Sequence, residues 1–382
     1  MSVVVTTPVI PGARYEERLR RAASAATEHR FDALLIGVGP DLAYLTGYKA
    51  LPLERLTMLL VTGGPRQTLV VPRLERPAAE AGVKTDIDIA WWVETDDPYA
   101  LVVSMLPADV RRVAVSDQLW ASHLLRLQAA MPAVRFEPSS PVLRALRMRK
   151  DPDEVALLTL AAHAADHVID AIAHGPLVGR TEADVAREVR ERLVAEGHDE
   201  AMFSIVASGP NSASPHHQAS ARVIRPGEPI VLDIGGTLGG YGSDITRTIW
   251  VTGGDSANGP DPDFLRLYEV LQDAQSEATG AVRPGVACER IDAVARGIIA
   301  GAGFGEAFIH RTGHGIGLEG HEDPYLVAGS SAPLERGMAF SVEPGIYLEG
   351  RYGARIEDIV VCGEAGPTVL NELPRDLLIV DG

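Results

Sequence analysis

Asp233 and Asp244 stand on either side of a glycine-rich turn, Gly235-Gly236-Thr237-Leu238-Gly239-Gly240. Two strands joined in this way lie side by side, so both carboxylates can reach one point. Taken singly, Asp233 has the ordinary explanation of a strand-end turn residue. Asp244, followed by Ile-Thr-Arg-Thr, has that of a solvated strand position. The pair gains meaning from what comes later in the chain. Glu343 ends an apolar run, Ala339 to Val342, just before Pro344-Gly345, and so interrupts what should be a buried strand. Glu357 lies in Arg355-Ile356-Glu357-Asp358-Ile359-Val360-Val361. With a strand period of two, Arg355, Glu357 and Ile359 share one face, and Ile356, Asp358 and Val360 the other. Charged side chains that face a core are costly unless paired or bound to metal. Bases are scarce around these acids, so a cluster of divalent cations is the economical partner.

His314 sits between glycines in Thr312-Gly313-His314-Gly315-Ile316-Gly317-Leu318. Flanking glycines let the backbone approach a crowded centre. Alone, this histidine would read as a core residue; beside four strand-borne acids it reads as the imidazole of the same cluster. The set Asp, Asp, His, Glu, Glu is rich in oxygen with one nitrogen donor. That favours Mn²⁺, with Co²⁺, Fe²⁺ or Zn²⁺ as alternatives, and disfavours soft-metal sites. Because carboxylates can bridge, the expectation is two ions about 3.5–4 Å apart with a bridging water, a source of hydroxide near neutral pH.

The order Asp233, Asp244, His314, Glu343, Glu357 resembles the dinuclear-metal "pita-bread" peptidases: the methionine aminopeptidases, Xaa-Pro aminopeptidases and Xaa-Pro dipeptidases (prolidases). The surrounding strings are similar too: Leu-Asp-Ile-Gly-Gly, Tyr-Gly-Ser-Asp-Ile-Thr-Arg-Thr, Gly-His-Gly-Ile-Gly-Leu, Val-Glu-Pro-Gly-Ile-Tyr and Arg-Ile-Glu-Asp. Asp41-Leu42-Ala43-Tyr44-Leu45-Thr46-Gly47 resembles the creatinase-like N-terminal domain of the Xaa-Pro branch, which methionine aminopeptidases lack. Creatinases share the fold without the metal ligands, and all five ligand types are present here.

The resemblance implies a role for each residue. Asp233 would chelate one metal, Asp244 and Glu357 would bridge, and His314 and Glu343 would bind the other. Glu343 would also pass a proton from water to the leaving amine. His216, in Ser214-Pro215-His216-His217, matches the histidine near the substrate carbonyl, and His321, in His321-Glu322-Asp323-Pro324, the one near the position after the scissile bond. Tyr241 and Arg355 are candidates for supporting the ligands or substrate. The family usually has Leu where Ser214 stands, which bears on the pocket wall. The implied reaction is hydrolysis of the bond preceding proline in Xaa-Pro dipeptides or short peptides. The alternative is a Xaa-Pro aminopeptidase acting on longer peptides. A dipeptidase must grip a free C-terminal carboxylate, for which Arg351, Arg355 and His321 are candidates. The family is often dimeric, so a homodimer or higher homo-oligomer is expected.

The elements that must position these groups follow the pattern of an α/β protein. In the first part, a helix over Arg14–Arg30 precedes a strand at Ala33–Ile36. Further strands are predicted at Thr57–Val61, Thr68–Val71 and Arg112–Val115, and a helix at Leu119–Ala130. Pro138 and Pro141 break the chain before a basic segment. The domains are therefore placed at 1–145, a smaller creatinase-like α/β domain, and 146–382, an α+β pita-bread catalytic domain. Asp151-Pro152-Asp153-Glu154 starts a helix that runs to about His174, and Thr181-Glu182-Ala183-Asp184 starts another. Strands follow at Ile230–Ile234 and Asp244–Val251, helices at about Asp263–Val282 and Ala287–Ala302, and strands at Met338–Val342 and Ala354–Val361.

Composition removes other classes. The chain has 382 residues and a net charge of −17. Residues 1–150 hold 16 acids and 19 bases, residues 151–382 hold 36 and 16. So acidic a second part repels a phosphate backbone, which argues against nucleic acid as a partner. No run of 18 apolar residues occurs, so no membrane span is expected. Met1–Pro11 is short, lacks a basic leader and reads as no signal peptide. The two cysteines, Cys288 and Cys362, exclude a disulfide framework or Cys-based zinc site and suit a reducing cytoplasm. Gly315-Ile316-Gly317-Leu318-Glu319-Gly320 satisfies G-x-G-x-x-G, but His321-Glu322-Asp323-Pro324 is a poor helix opening for a dinucleotide site. Neither G-x-S-x-G nor H-E-x-x-H is present. A binding protein on a retired peptidase fold would require a lost ligand, and none of the five is missing.

Overall fold

The computed structural model describes residues 8–64 and 66–382. The reading of Met1–Pro11 as no signal peptide lies mostly outside these residues. The chain forms two compact units, Ile10–Arg147 and one made chiefly of Met148–Gly382.

The first unit carries helices α1 (Gly12–Glu28), α2 (Pro40–Thr46), α3 (Arg76–Gly82), α4 (Pro98–Ser104), α5 (Ala121–Ala130) and α6 (Ser140–Arg147). Its strands are β1 (Ala33–Gly37), β2 (Met58–Thr62), β3 (Thr68–Pro72), β4 (Asp88–Trp92), β5 (Arg112–Val115) and β6 (Arg135–Pro138). They form one sheet in the order β4-β3-β2-β1-β5-β6, with β1 antiparallel to β2 and parallel to β5. The unbroken apolar run of β1 suits a central strand and is fully buried. The sequence pattern singles out neither β4 nor β6, the two edges: β6 has no apolar run, and the short run Ile89–Trp92 of β4 is only partly buried.

The second unit opens with α7 (Pro152–Ala173). Asp151 accepts hydrogen bonds from the N–H groups of Asp153 and Glu154, and Glu154 accepts one from the Asp151 N–H, a reciprocal cap. By length and composition α7 is apolar enough to cross a bilayer. Its buried side chains, Leu157, Leu158, Val168 and Ile169 among them, instead pack within the protein, where the helix lies on strands β8 (Glu228–Leu238) and β9 (Tyr241–Val251). Between α7 and these strands in sequence come α8 (Glu182–Ala195) and β7 (Glu200–Ser208). After β9 follow α9 (Pro262–Gly280) and α10 (Cys288–Gly301), then β10 (Gly313–Gly315), β11 (Glu322–Leu326), β12 (Ala339–Val342), β13 (Gly345–Leu348), β14 (Tyr352–Arg355), β15 (Asp358–Cys362), β16 (Pro367–Val369) and β17 (Leu378–Val380). One sheet has the order β17-β9-β8-β7, another β11-β10-β12-β15-β16, and β13 pairs with β14.

Strand alternation sorts the side chains of both sheets. On β8, Ile230, Leu232 and Ile234 join the core under α7 and α8, as do Ile245 and Ile249 of β9. Asp233, Asp244, Thr246 and Thr248 therefore point the other way. On the second sheet, Phe340 and Val342 of β12 and Val360 of β15 join the core around α9 and α10. Ser341 and the chain following Val342 face the first sheet's acids. The predicted strand over Ala354–Val361 is broken: β14 ends at Arg355 and β15 begins at Asp358, with Glu357 forming an isolated bridge to Thr246. The ladder is interrupted there, but the alternation holds: Arg355 and Glu357 both line the cavity, while Ile356 and Val360 join the core around α9 and α10.

The glycines around His314 are required by proximity. A Cβ on Gly313 would lie 1.9 Å from the Ser341 carbonyl oxygen, and one on Gly315 2.2 Å from that of Asp323. Gly313→Ala is expected to destabilise the second unit by about 1–3 kcal/mol through overpacking. The check is the denaturant midpoint of the purified variant; wild-type stability would show that β10 and β12 are not held this closely.

Candidate metal centre

Asp233 pairs in register with Thr246, and Gly235 with Asp244. The two aspartates are thus diagonal neighbours on one face, a separation that short carboxylates can bridge. Gly235, opposite Asp244, carries no side chain into the gap; a Cβ there would lie 2.3 Å from the Ser243 carbonyl oxygen. Glu357 is docked on β9: its N–H donates to the Thr246 carbonyl at 3.1 Å, and its Oε2 accepts from Thr246 Oγ1 at 2.7 Å. Behind it Arg247 donates to the Glu357 carbonyl at 2.6 Å and to Asp358 Oδ1 at 2.7 Å, so the acid that follows Glu357 is paired on the opposite side.

From the second sheet, Ser341 Oγ accepts from the His314 N–H at 3.0 Å and donates to Glu343 Oε1 at 3.2 Å. His314 Nδ1 lies 3.1 Å from the Gly315 carbonyl, which can only accept. That orients the proton onto Nδ1 and leaves Nε2 as a lone-pair donor. Nε2 lies 3.3 Å from Glu343 Oε1 and 3.6 Å from Asp244 Oδ2.

The five residues therefore meet. Asp233, Asp244 and Glu357 offer oxygens within 4.8 Å of one another, and so do the ligand atoms of His314, Glu343 and Glu357. A third group of the same tightness joins Asp244 and His314 to His321. All six line one cavity of about 630 Å³, together with His216 and Arg355. His321 stacks on His314 with ring centroids 3.7 Å apart. Tyr241 lies elsewhere: its hydroxyl donates to Glu154 Oε1 at 3.0 Å, and it is not among the residues lining the cavity. Ser214 is exposed and does not line the cavity either. Arg351 is likewise absent from the lining and donates to Asp263.

Electrostatics state the problem this cluster poses. Burial pushes the Asp244 carboxyl well above its usual range, and Asp233 and Glu343 push it further. Burial does the same to Glu357, reinforced by Asp244 and Glu343. Glu343 is raised to about 7 by burial, against the pull of Arg355. His314 is lowered to about 3 by burial and by His321, so its imidazole is neutral. The donor set fits a cation: one neutral nitrogen, four carboxylates, and a buried Asp233 Oδ1 that has no hydrogen-bond partner among the described residues. The Arg355 guanidinium sits on the other oxygen of Asp233 and leaves Oδ1 bare.

Several cavity groups give no readable signal in sequence. His310 Nε2 lies 2.9 Å from the Tyr347 hydroxyl, which accepts from Arg355 at 2.6 Å. Burial and the Arg355 charge hold His310 down to about 4, and burial raises Tyr347 to about 12. His310 and Arg311 lie in a loop without periodicity, where only their closeness to His314 marks them. Phe203 and Ile205 supply the apolar wall from β7.

Residues 156–364 match metallopeptidase family M24, and residues 18–149 match the Creatinase/Prolidase N-terminal domain. The chain is a member of family M24. It is 46% identical over 369 residues to a "Probable dipeptidase PepE" of Mycobacterium tuberculosis, covering 96% of each. It is 35% identical over 347 residues to a Xaa-Pro dipeptidase of Lactobacillus helveticus, covering 89% of this chain and 92% of that one. The crystal structure of dipeptidase PepE from Mycobacterium ulcerans superposes with a TM-score of 0.89 at 45% identity, covering 97% of this chain and 99% of that one. The fold is thus the pita-bread arrangement of M24 preceded by a creatinase-like domain, and the cluster described above lies within the M24 match.

Metal uptake must displace protons from this cluster. Because burial and mutual repulsion raise the carboxyls, the metal-free site holds protons up to about pH 7, the value reached by Glu343. Affinity is therefore expected to rise with pH between about 6 and 8. Calorimetric titration with Mn²⁺ in buffers of different ionisation heat at pH 7 should show about one proton or more released per chain. A buffer-independent heat would contradict the protonated, repelling cluster.

Proposed function

We propose that this M24 metallopeptidase hydrolyses the peptide bond preceding proline, with Xaa-Pro dipeptides as its substrates, at a centre of two divalent ions held by Asp233, Asp244, His314, Glu343 and Glu357. What carries the reading is the convergence of four buried or half-buried carboxylates on one neutral imidazole, with a carboxylate oxygen left unpartnered. Mn²⁺ is the ion proposed, on the oxygen-rich donor set. Bound there, divalent ions supply Lewis acidity toward a carbonyl and a competent nucleophile at neutral pH.

The protein's own groups divide the remaining work. Glu343, which lines the cavity beside His314, is assigned to take a proton from the attacking water and hand it to the leaving nitrogen. His216 lines the cavity and is assigned to the oxyanion that develops on the scissile carbonyl. His321 is assigned to the residue after the scissile bond. Arg355 holds Asp233 in place and sets the hydroxyl of Tyr347. Tertiary Xaa-Pro amides with a restricted preceding residue resist general peptidases, and the Phe203–Ile205 wall offers an apolar face for the pyrrolidine ring.

Arg311 favours dipeptides. It lines the cavity, stacks over the Tyr325 ring at 4.4 Å and donates to His321 Nδ1 at 3.2 Å. Its charge is available to a free C-terminal carboxylate in a way that Arg351, paired with Asp263, is not. The same reading places a creatinase-like domain over residues 1–145 and the catalytic domain over 146–382. It takes the protein to be a cytoplasmic homodimer or higher homo-oligomer, on the family resemblance and the free cysteines.

Purified protein loaded with Mn²⁺ should cleave Xaa-Pro dipeptides at least as fast as Xaa-Pro-Yaa tripeptides. A tripeptide preference of about tenfold or more, worth roughly 1.4 kcal/mol, would instead assign a Xaa-Pro aminopeptidase. His216→Ala should lower kcat by roughly 10²-fold with little change in KM. Unchanged turnover would return His216 to the status of a loop residue.

A further inference from the structure

The segment between β7 and β8 carries Pro215, His216 and Gln218 into the cavity. His216 itself is exposed. Something else must decide where it stands, and the structure holds a candidate beneath it. Glu182, the first residue of α8, has no exposed surface. Its Oε1 accepts from the Ser208 N–H and hydroxyl, both at 2.8 Å, and from Asn211 Nδ2 at 2.9 Å. Its Oε2 accepts from the Ser220 N–H at 3.1 Å, from the Ser220 hydroxyl at 2.7 Å, and lies 2.8 Å from His217 Nε2.

These donors belong to the segment that bears His216. Ser208 and Asn211 precede it, His217 is its neighbour, and Ser220 follows. One buried carboxylate therefore closes both legs of the loop onto one point. The start of α8 does not need it: Thr181 already caps that helix by accepting from the Asp184 N–H at 3.1 Å. The helix is anchored in turn, since Val185, Val189 and Leu193 pack into the core shared with β8 and β9. Glu182 thus links a rigid element to a polar loop that has little core of its own.

We propose that Glu182 is a positioning residue, whose buried carboxylate holds residues 208–220 so that His216 stays in the cavity; this rests on the role given to His216 above. The hydrogen bonds from Ser220, Ser208, Asn211 and His217 overcome the penalty of burial and hold Glu182 down to about 2, so the clamp is ionised throughout the working range. Replacing either oxygen by an amide would aim an N–H group at a backbone N–H, that of Ser208 or of Ser220, which cannot accept it.

The test uses full-length, metal-loaded protein carrying Glu182→Gln. Hydrogen–deuterium exchange of peptides spanning 209–220 should accelerate about tenfold or more, while β8, β9 and metal content stay as in wild type. On a Xaa-Pro dipeptide, kcat should fall about tenfold with KM within about twofold, and in a His216→Ala background the same change should cost less than about twofold, because both act through one group. Equal losses in the two backgrounds, or unchanged exchange across 209–220, would overturn the proposal. If Glu182→Gln does not fold, Ser220→Ala removes a single hydroxyl donor and should reproduce the pattern at about threefold, again only when His216 is present. If wild type cleaves no Xaa-Pro peptide, the proposed function fails on its own, and the exchange measurement alone decides the clamp.

Discussion

The constraint on which the catalytic unit depends is repulsion. Asp233, Asp244 and Glu357 offer oxygens within 4.8 Å of one another, in a place where Asp244 and Glu357 are almost wholly buried. At such a separation two carboxylates repel by roughly 3 kcal/mol even at an effective dielectric near 20. Arg355 offsets part of this from one side, on a single oxygen of Asp233. The remainder has to be met by protons or by cations. A fold that kept these acids together without using them would carry the cost for nothing. The rest of the unit reads as machinery for holding them together.

That machinery is strand alternation used twice. In each sheet, alternate residues join an apolar core beneath helices, and Asp233 and Asp244 lie on the other alternation and line the cavity. Threonines occupy the inner face of β9 beside the aspartates, and both are engaged. Thr246 donates to Glu357, and Thr248 exchanges hydrogen bonds with the Arg355 backbone. Small polar residues there fix the neighbouring strand without filling the cavity. Behind Glu357, buried Arg247, Asp358 and Gln275, joined by half-buried Arg375, hold the backbone from the far side. The adjacent acids Glu357 and Asp358 therefore serve opposite faces, one for the cavity and one for the scaffold.

How much of this was legible follows from where each residue sits. Glu343 and Glu357 announce themselves because a charge inside an apolar strand has no cheap explanation, and they give meaning to Asp233 and Asp244, which singly pass for a turn residue and a solvated strand position. His314 is marked by its glycines, and those glycines are tight contacts with Ser341 and Asp323 in space. The central strands and long helices were equally readable, from apolar runs and from caps such as Asp151. Edge strands β4 and β6 were not: β6 has no apolar run, and that of β4, Ile89–Trp92, is short and only partly buried. The break between β14 and β15 was invisible, because an isolated bridge between Glu357 and Thr246 leaves no periodic trace. Tyr241 illustrates the opposite error of proximity: it is next to the motif that carries Asp244, yet its hydroxyl serves Glu154 on α7. Glu182 looked like part of a helix start, and its true partners lie about 26 to 38 positions further on.

The cavity groups fall into two mechanical classes. Those proposed as ligands stand on or beside strands, where register fixes them. The histidines proposed to meet the substrate stand on loops, which are free to differ between relatives. Yet each loop histidine is followed directly by a residue whose side chain bonds to a buried partner. His217 follows His216 and meets Glu182; Glu322 follows His321 and meets Lys150 at 2.5 Å. In both cases the buried tie falls on the neighbour rather than on the side chain that faces the cavity. Such a division lets a loop hold a reactive group at a defined place without spending that group's own nitrogens on a carboxylate. It also separates two kinds of change. On the roles proposed above, substitutions at the strand acids act on whether the centre exists, while substitutions at Glu182 act on where a substrate-facing group stands, and so on how fast peptides are turned over.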